Sequence, residues 1–230
     1  MTRKIVLDIE TSSYDLNTFS ESQQEYLFRY VDKEKDETLK QQKYDDALRM
    51  LSIYPYTAKA IVISLFDSVN EKYYTYYENN NLEEWSNEEG THLYKGLTEP
   101  EMLESFWRII DKADQIITFN GKVFDIPFLM LRSAMLRVKP SKNFLKYKYE
   151  NKSHIDLLEQ LTFCGLTKKF NLDFYCQAFG VPSPKQKGIN GMEVKNYYEA
   201  GKIKEVAMYC RDDVEATYEL YKIWNEYLNI

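Results

Sequence analysis

The chain has 230 residues, of which 44% are apolar and 29% are charged, a globular composition that excludes an intrinsically disordered protein. Its formal net charge of −6 excludes recognition of nucleic acid by overall positive charge, so a polyanion would need a local basic patch or a bound cation. No apolar run approaches membrane-spanning length, and three cysteines without paired metal-ligand spacing indicate free thiols in a reducing compartment. We therefore expect a cytoplasmic protein without a membrane partner.

Strands are predicted in the first half of the chain, from apolar or aromatic runs that are bounded by turn residues. These strands are residues 3–9, 59–66, 72–77 and 115–119. The segment DSVNE separates the second strand from the third and has the composition of a hairpin loop. Residues 80–96 are polar and are predicted to form a loop.

Apolar residues at helical spacing dominate the remaining segments. Between the first two strands, about residues 18–51, we expect an insertion of one or two helices that either covers the sheet edge or lies near the mouth of a site. Further helices are predicted at residues 98–113, 124–136, 155–164, 171–179, 193–200 and 202–226. Because no linker divides the chain, we expect residues 1–230 to form a single α/β domain with early strands and late helices.

The N-terminal stretch KIVLDIET places two acids at the end of an apolar strand. Side chains alternate along a strand, so Asp8 and Glu10 point to the same side. Their carboxylates repel each other unless they reach solvent or a cation lies between them. This stretch alone leaves both interpretations open.

Two later segments carry acids in equally ordered positions. Asp125 follows a predicted strand and a turn at Asn120, and it begins a helix, where the helix dipole also favours an acid. Tyr209 and Asp213 lie four residues apart on the last predicted helix and therefore share a face. Asp212 is expected to point elsewhere, toward solvent. Each segment by itself is also ordinary helix composition.

In chain order, Asp-x-Glu at a strand end, Asp at a strand-to-helix junction and Tyr-x-x-x-Asp on a C-terminal helix resemble the three motifs of the DEDD exonuclease superfamily. The tyrosine resembles the DEDDy branch, since the histidine of the other branch would stand at Met208. The chain is similar to predicted 3′–5′ exonucleases related to the exonuclease domain of family-B DNA polymerases, also over residues 51–64, 154–161 and 178–214. The resemblance implies a ribonuclease H-like mixed sheet flanked by helices, with a helical insertion after the first strand.

The resemblance further implies a metal-dependent 3′–5′ exonuclease that hydrolyses phosphodiester bonds and releases nucleoside monophosphates. Two divalent cations, Mg²⁺ or Mn²⁺, are implied, and these cations prefer hard oxygen ligands. By resemblance, Asp8 would bridge both cations, Glu10 and Asp213 would hold the one that binds the attacking water, and Asp125 would hold the other. Tyr209 would orient that water, because an unperturbed phenol with a pKa of about 10 is a poor base at neutral pH.

Nucleic acid is the implied partner, with DNA favoured over RNA and single strands favoured, because the likeness is to polymerase proofreading domains. An RNA 3′–5′ exonuclease and a non-catalytic nucleic-acid-binding scaffold on the same fold are the alternatives, although the presence of all four acids and the tyrosine argues against a scaffold. An oligomer or a protein partner is left open. We expect His154 to pack or cap rather than to act in a site.

Five residues are candidates for contact with the substrate. Thr11 follows the first motif and offers a backbone N–H and a hydroxyl, whereas Asn120 either contacts the substrate or shapes its turn. Lys185 and Lys187, in a loop rich in proline and glycine, and Arg132, on the helix after the second motif, either hold a phosphate or are solvated.

Overall fold

The computed structural model describes residues 2–145, 152–183 and 189–230. The strands are β1 (Lys4–Ser13), β2 (Ala58–Asp67), β3 (Lys72–Glu78), β4 (Glu84–Ser86), β5 (His92–Leu97), β6 (Gln115–Thr118) and β7 (His154–Asp156). Within the described residues these seven strands form one mixed sheet in the order β4-β5-β3-β2-β1-β6-β7. β1 lies near the middle, antiparallel to β2 and parallel to β6.

Helices flank both faces of this sheet, as predicted for a mixed α/β fold. They are α1 (Glu21–Phe28), α2 (Glu37–Met50), α3 (Glu99–Ile110), α4 (Asp125–Met135), α5 (Leu157–Leu161), α6 (Leu172–Phe179), α7 (Val194–Glu199) and α8 (Ile203–Tyr227). α3 and α4 contribute to the apolar core on one face, and α5, α6 and α8 contribute to the core on the other. None of the described helices has the length and apolarity needed to cross a bilayer.

Alternation along β1 decides which of its side chains face which helices. Leu7 and Ile9 are buried in the core that includes α3 and α4, whereas Val6 is buried in the core that includes α8. By the same period, Asp8 and Glu10 lie on the α8 side. A register slip of one residue would drive both carboxylates into the opposite core, so the apolar residues fix where the acids point.

The predicted helical insertion after the first strand is confirmed. It contains α1, α2 and a short 3₁₀ turn at Leu51–Ile53. Ser20 begins α1 through a reciprocal capping box with Gln23, and the Asp36 side chain caps α2. The 3₁₀ turn contacts β1 and β2, so the C-terminal end of the insertion is attached to the middle of the sheet.

The loop predicted over residues 80–96 is wrong, because this segment contains β4 and β5. β5 pairs in parallel with β3, and β4 pairs antiparallel with β5 at the sheet edge. The rings of Trp85 and Tyr94 stack across this pair with centroids 3.7 Å apart. The edge strand β4 keeps polar side chains toward solvent, and its composition is therefore similar to that of a loop. The pairing of this segment with the sheet depends on tertiary contacts.

The helix predicted over residues 155–164 begins later than expected. His154–Asp156 form β7, which pairs in parallel with β6, and α5 begins at Leu157. The Asp156 side chain accepts the backbone N–H groups of Leu158 and Glu159 and so caps this helix. The strand depends on a partner more than 30 residues away in the chain, which a local pattern does not indicate.

Candidate active site

The structure brings the acids of the three sequence motifs together on the α8 side of β1. Asp8 and Glu10 come from β1, Asp125 is the first residue of α4, and Asp213 lies in the middle of α8. Carboxylate oxygens of Asp8 and Glu10 and the Cys210 sulfur all lie within 4.8 Å of one another. Acids from three separate elements therefore share one site.

The Asp125 carboxylate is held by backbone groups. Its Oδ1 accepts the N–H of Ile9 at 3.2 Å, which ties α4 to β1 between the two strand acids. The preceding turn depends on Asn120, whose φ of 66° is left-handed, and on Gly121, where a Cβ would lie 2.4 Å from the Thr118 side chain. A strained turn of this kind aims the start of α4 at the strand end.

Asp156 holds the same turn from the neighbouring strand. Its carboxylate accepts the N–H of Asn120 at 2.8 Å and the N–H of Lys122 at 3.0 Å. The side chain that caps α5 therefore also fixes the loop that presents Asp125. Sequence reasoning missed this residue, because the role depends on the pairing of β6 with β7.

Helix α8 contributes Tyr209, Cys210 and Asp213 to the site wall. Tyr209 and Asp213 share a face, and the Tyr209 hydroxyl hydrogen-bonds the Asp213 carboxylate. The Cys210 sulfhydryl lies 3.5 Å from both the carbonyl oxygen and Oδ2 of Asp8. It donates to the carboxylate and joins α8 to the middle of β1. Cys210 was also missed, although it follows a motif residue directly.

Asp212 does not point to solvent as predicted. It is buried, and its carboxylate pairs with the Arg211 guanidinium at 2.5 Å. Arg211 also pairs with Glu215 at 2.5 Å on the next turn. α8 packs against β2 and β3 as well as β1, and so it buries more than one face, which a single amphipathic stripe does not predict.

Burial and mutual repulsion make the carboxylates hard to ionise. Burial raises the pKa of Asp8 well above its ordinary value, and repulsion by the other three motif carboxylates raises it further. The pKa of Glu10 is raised well above its ordinary value by burial and by Asp213 and Asp125. Burial raises the pKa of Asp125 to about 7, with added repulsion from Asp156 and Asp213. A cation among these groups would relieve all of these costs together.

The two non-carboxylate groups stay protonated in this environment. Burial raises the pKa of the Tyr209 hydroxyl above its ordinary value, and the carboxylates of Asp213, Glu10 and Asp8 raise it further. Burial raises the pKa of the Cys210 thiol well above its ordinary value, and the same three carboxylates raise it further. Tyr209 therefore acts as a hydrogen-bond donor, and Cys210 offers an S–H group rather than a thiolate ligand.

The ligand chemistry fits divalent cations that prefer oxygen. The ionisable donors in the motifs are carboxylates from β1, α4 and α8, and carboxylate oxygens are the ligands that Mg²⁺ and Mn²⁺ take in proteins. Without a cation the same carboxylates repel each other, as their raised pKa values record. The residues therefore fit a divalent metal site.

A cleft of about 240 Å³ opens beside these acids. Asp8, Tyr209 and Asp213 line it together with residues that sequence reasoning did not select: Phe119, Asn171, Leu172, Asp173 and Gly191. Asn171 had a local signal only as the side chain that caps α6. The cleft joins the end of β6, the start of α6 and the segment before α7, and their sequence gives no indication that they meet.

Residues 59–227 match the profile of a family described as a predicted 3′–5′ exonuclease related to the exonuclease domain of PolB. The chain belongs to this family. Asp125, Tyr209 and Asp213 lie inside the matched residues of the PolB-related exonuclease family. Asp8, Glu10 and the helical insertion precede them.

Curated relatives of this exonuclease family member include DNA polymerases of archaea. A DNA polymerase of Desulfurococcus sp. (strain Tok) is 29% identical over 155 residues, which are 60% of this chain and 20% of the polymerase. A DNA polymerase of Pyrococcus glycovorans is 29% identical over 140 residues, 54% of this chain and 18% of the polymerase. The chain thus spans about a fifth of the length of these polymerases. An uncharacterized protein of Methanocaldococcus jannaschii is 32% identical over 133 residues, 53% of this chain and 72% of that protein.

A solved structure supports the same fold. The family B DNA polymerase of the hyperthermophilic archaeon Pyrobaculum calidifontis superposes with a TM-score of 0.63 at 16% identity, over 98% of this chain and 25% of that chain. The predicted α/β fold class is confirmed by this likeness and by the mixed sheet.

The residues predicted to contact substrate lie in different surroundings in this exonuclease fold. The Thr11 hydroxyl donates to the carbonyl of Ser52 at 2.5 Å, so this hydroxyl bonds the insertion. Contact of the Thr11 backbone N–H with substrate stays a prediction. The left-handed backbone of Asn120 and its bond to Asp156 assign it to the turn. Lys185 and Lys187 lie outside the described residues.

Arg132 is neither a phosphate contact nor a solvated side chain, which corrects both alternatives. It is 3% exposed, and its Nε and Nη2 donate to the two carboxylate oxygens of Glu99 at 2.8 and 2.5 Å. Nη2 also donates to the Tyr14 hydroxyl at 2.6 Å, and Glu99 accepts the N–H of Ala60 at 2.9 Å. The buried pair joins α3, α4, β2 and the start of the insertion.

His154 packs, as expected. It is fully buried, and its Nε2 lies 2.8 Å from the Thr118 hydroxyl beneath the turn that presents Asp125. Burial lowers the pKa of His154 to about 3, so the ring is neutral at physiological pH.

We expect Arg132→Ala to lower the free energy of unfolding by about 3–5 kcal/mol, because it leaves the Glu99 carboxylate buried without its partner. Chemical denaturation measures this loss. Arg108→Ala, at an exposed position on α3, is the control and should change stability by about 0.5 kcal/mol or less. Glu99→Gln combined with Arg132→Met should recover part of the loss. A fully stable Arg132→Ala protein with weakened nucleic-acid binding would contradict the structural role.

In chelator, we expect stability to fall as the pH rises from about 4 to 7, the interval between the ordinary pKa of an aspartate and the raised pKa of Asp125. The folded state binds more protons than the unfolded state there, so its advantage is complete below the interval and lost above it. Asp125→Asn should flatten this decline, whereas Asp32→Asn, at an exposed carboxylate, should keep it. Urea denaturation at successive pH values tests both, and an equal slope in Asp125→Asn and the unaltered protein would refute the assignment.

Proposed function

We propose that this protein is a metal-dependent 3′–5′ exonuclease that hydrolyses DNA, with single strands favoured, and releases nucleoside monophosphates. The observation that carries the proposal is the convergence of Asp8, Glu10, Asp125 and Asp213 beside Tyr209. The pKa values of the first three are raised, and a cation would relieve the repulsion that contributes to this. Membership of a family of predicted 3′–5′ exonucleases supports the reaction class.

The carboxylates would hold two divalent cations, Mg²⁺ or Mn²⁺. When bound, such cations supply activation of water and stabilisation of the oxygens of the phosphate that is attacked. Asp8 is proposed as the shared ligand, Glu10 and Asp213 as ligands on the α8 side, and Asp125 as the ligand from α4. The Ile9 N–H and the Cys210 sulfhydryl hold Asp125 and Asp8 in place, and so they support the ligands.

Tyr209 is proposed to orient the attacking water. Its phenol is kept protonated by burial and by neighbouring carboxylates, so it donates a hydrogen bond and does not accept a proton as a base. Its hydroxyl lies beside Asp213 on the wall of the cleft. Proton removal would thus fall to another group in the site, and Tyr209 would fix the direction of approach.

DNA is proposed over RNA because curated relatives of the chain are DNA polymerases. Digestion of labelled single-stranded DNA, RNA and duplex DNA by the same protein preparation tests the substrate directly. Degradation of RNA alone would replace DNA in the proposal, and absence of cleavage with retained binding would favour a scaffold. A cytoplasmic location stays a prediction, which fractionation of cells that express the protein would test.

Asp8→Asn should abolish nuclease activity while the fold is retained. The substitution keeps the side-chain size but removes one charge from a site where it is repelled by the other three acids. In chelator the variant should therefore melt at a slightly higher temperature than the unaltered protein. Melting curves in chelator and digestion of 5′-labelled DNA in Mg²⁺ and in Mn²⁺ measure both effects. Activity near the unaltered level would refute a ligand role for Asp8.

Tyr209→Phe and Asp213→Asn should separate orientation from metal binding. Loss of the Tyr209 hydroxyl should lower kcat by about 10²-fold with little change in metal affinity, since a positioning interaction acts in the transition state. Asp213→Asn should weaken metal binding and activity together. Single-turnover digestion titrated with each metal measures the two quantities.

The control for the tyrosine change is Tyr221→Phe, a buried tyrosine on the same helix whose hydroxyl bonds Lys4 and Asn225 instead of the acids. This variant should keep kcat. Equal metal dependence of Tyr209→Phe and Asp213→Asn would contradict the division of roles, and so would unchanged turnover in Tyr209→Phe. Release of the 5′ label before the 3′ label would contradict the polarity.

A further inference from the structure

The helical insertion has two faces of different chemistry. Along α1, Glu21, Gln24, Glu25 and Phe28 follow helical spacing and line a hollow of about 660 Å³ that also contains Asp32 and Glu37. Other residues of α1, on a different side of the helix, line a second hollow of about 740 Å³. The two hollows therefore lie on different sides of the same helix, and the first one collects the acids.

The second hollow is rich in tyrosine and carries no acid among the described residues that line it. We name its rings the tyrosine face, which consists of Tyr26, Tyr30, Tyr54 and Tyr56. Arg29 is the one charged residue among the described residues that line this hollow. On a chain with a net charge of −6, this local lack of acids matters, because it makes the face one that a polyanion can approach.

The rings of the tyrosine face are open to solvent. Tyr26 and Tyr30 are 65% and 64% exposed, and the Arg29 guanidinium lies 3.9 Å from the Tyr26 ring centroid and 4.5 Å from that of Tyr30. The cation is thus within cation–π distance of both rings. Exposed aromatic rings grouped in this way mark an interaction surface rather than a core.

A groove that contains Glu10 adjoins the hollow of the tyrosine face at Met50. It has a volume of about 920 Å³ and is lined by Glu10 and Thr11 of β1 and by Arg49, Met50, Met192 and Lys195, among others. Glu10 is one of the four motif acids, and Met50 also lines the hollow of the tyrosine face. The groove therefore includes one of the acids and meets the hollow of the exposed rings at Met50.

The groove carries a basic side chain on each of two sides, and Arg49 is paired at 3.1 Å with Asp46, which also lines the groove. Arg49 comes from the end of α2, and Lys195 comes from α7 on the far side. The Lys195 ammonium donates to the Ser13 hydroxyl at 2.7 Å, which keeps it over the end of β1. Basic side chains beside apolar Met50 and Met192 provide contacts for both the backbone and the bases of a strand.

We propose that the tyrosine face is a stacking platform for the unpaired bases of a single strand whose 3′ end lies at the carboxylates. This inference rests on the proposed exonuclease function and assigns a role to the insertion. A single strand is the occupant chosen because its bases are open to stacking, whereas those of a duplex are already stacked. Continuity with the acids by way of Met50 favours a strand over an unrelated protein partner.

A tyrosine ring stacks on the flat face that every base has, so binding to the platform does not depend on base sequence. The rings line a different hollow from Glu10, so the platform would contact nucleotides other than the one held at the acids. The contribution of the face should therefore grow with strand length, in contrast to that of residues beside the acids.

Binding without hydrolysis tests the platform. In the Asp8→Asn background with Mg²⁺, fluorescence anisotropy measures the Kd of 5′-labelled oligothymidylates of about three and about twelve nucleotides, a range that brackets common single-strand site sizes. Tyr26→Ala and Tyr30→Ala should each raise the Kd of the long strand about fivefold or more, and the double variant should raise it further. The ratio of variant to parent Kd should fall toward one for the short strand.

Matched variants separate stacking from other causes. Tyr227→Ala removes a ring that is 67% exposed at the end of α8 and should leave both Kd values unchanged. Tyr26→Phe keeps the ring and should keep affinity, which excludes loss of a hydroxyl contact. Thermal melting of each variant establishes that the fold is retained, as expected for exposed side chains.

Three outcomes would overturn the platform. One is a long-strand Kd in the Tyr26→Ala, Tyr30→Ala double variant equal to that of Tyr227→Ala. Another is competition by duplex as effective as competition by single strand. The third is self-association of the protein in sedimentation that Tyr26→Ala abolishes, because a second copy would then occupy the face.

The proposed function and the platform fail in different ways. If the protein with Asp8 intact cleaves no strand but the tyrosine variants lower affinity, the platform holds and the exonuclease proposal fails. If it cleaves DNA with the same KM for long strands in every tyrosine variant, the exonuclease proposal holds and the platform fails.

Discussion

Repulsion among four carboxylates is the constraint on which the rest of this structure depends. Asp8, Glu10 and Asp125 are held together beside Asp213 although burial and like charge both raise the pKa values of these three carboxyls. Their convergence therefore costs stability in the metal-free protein, and the cost must be offset elsewhere in the fold. Because a bound cation would relieve this repulsion, the site is well suited to bind one.

The offset comes from apolar packing on both sides of β1 and from directed hydrogen bonds. Leu7 and Ile9 are buried on one face and Val6 on the other, so the strand cannot turn its acids away. The backbone N–H of Ile9 donates to the Asp125 carboxylate, and backbone N–H groups of the preceding turn donate to Asp156. These N–H groups carry no net charge. The buried Arg132–Glu99 pair joins the helices behind the site to the insertion. Neutral donors thus position the acids and leave them able to accept a cation.

The insertion links this constraint to the proposed path of the substrate. Its 3₁₀ turn contacts β1, and Ser52 accepts the Thr11 hydroxyl directly after the first motif. A segment attached so near Glu10 is placed to guide a strand toward the acids, and its tyrosine face adjoins the groove of Glu10 at Met50. The family profile begins at residue 59, after the insertion, so the matched residues do not include the tyrosine face.

The sequence by itself determined the features that depend on local periodicity: Asp8 and Glu10 on one side of a strand, Tyr209 and Asp213 on one face of a helix, and the main strands and helices. These follow because strand and helix periods relate neighbours within a few residues. Tertiary structure decided the convergence of the acids, the strands β4 and β5, the pairing of β7, and the burial of Arg132 and Asp212. Each of these depends on a partner distant in the chain or on a second packed face, and local periodicity carries no information about either.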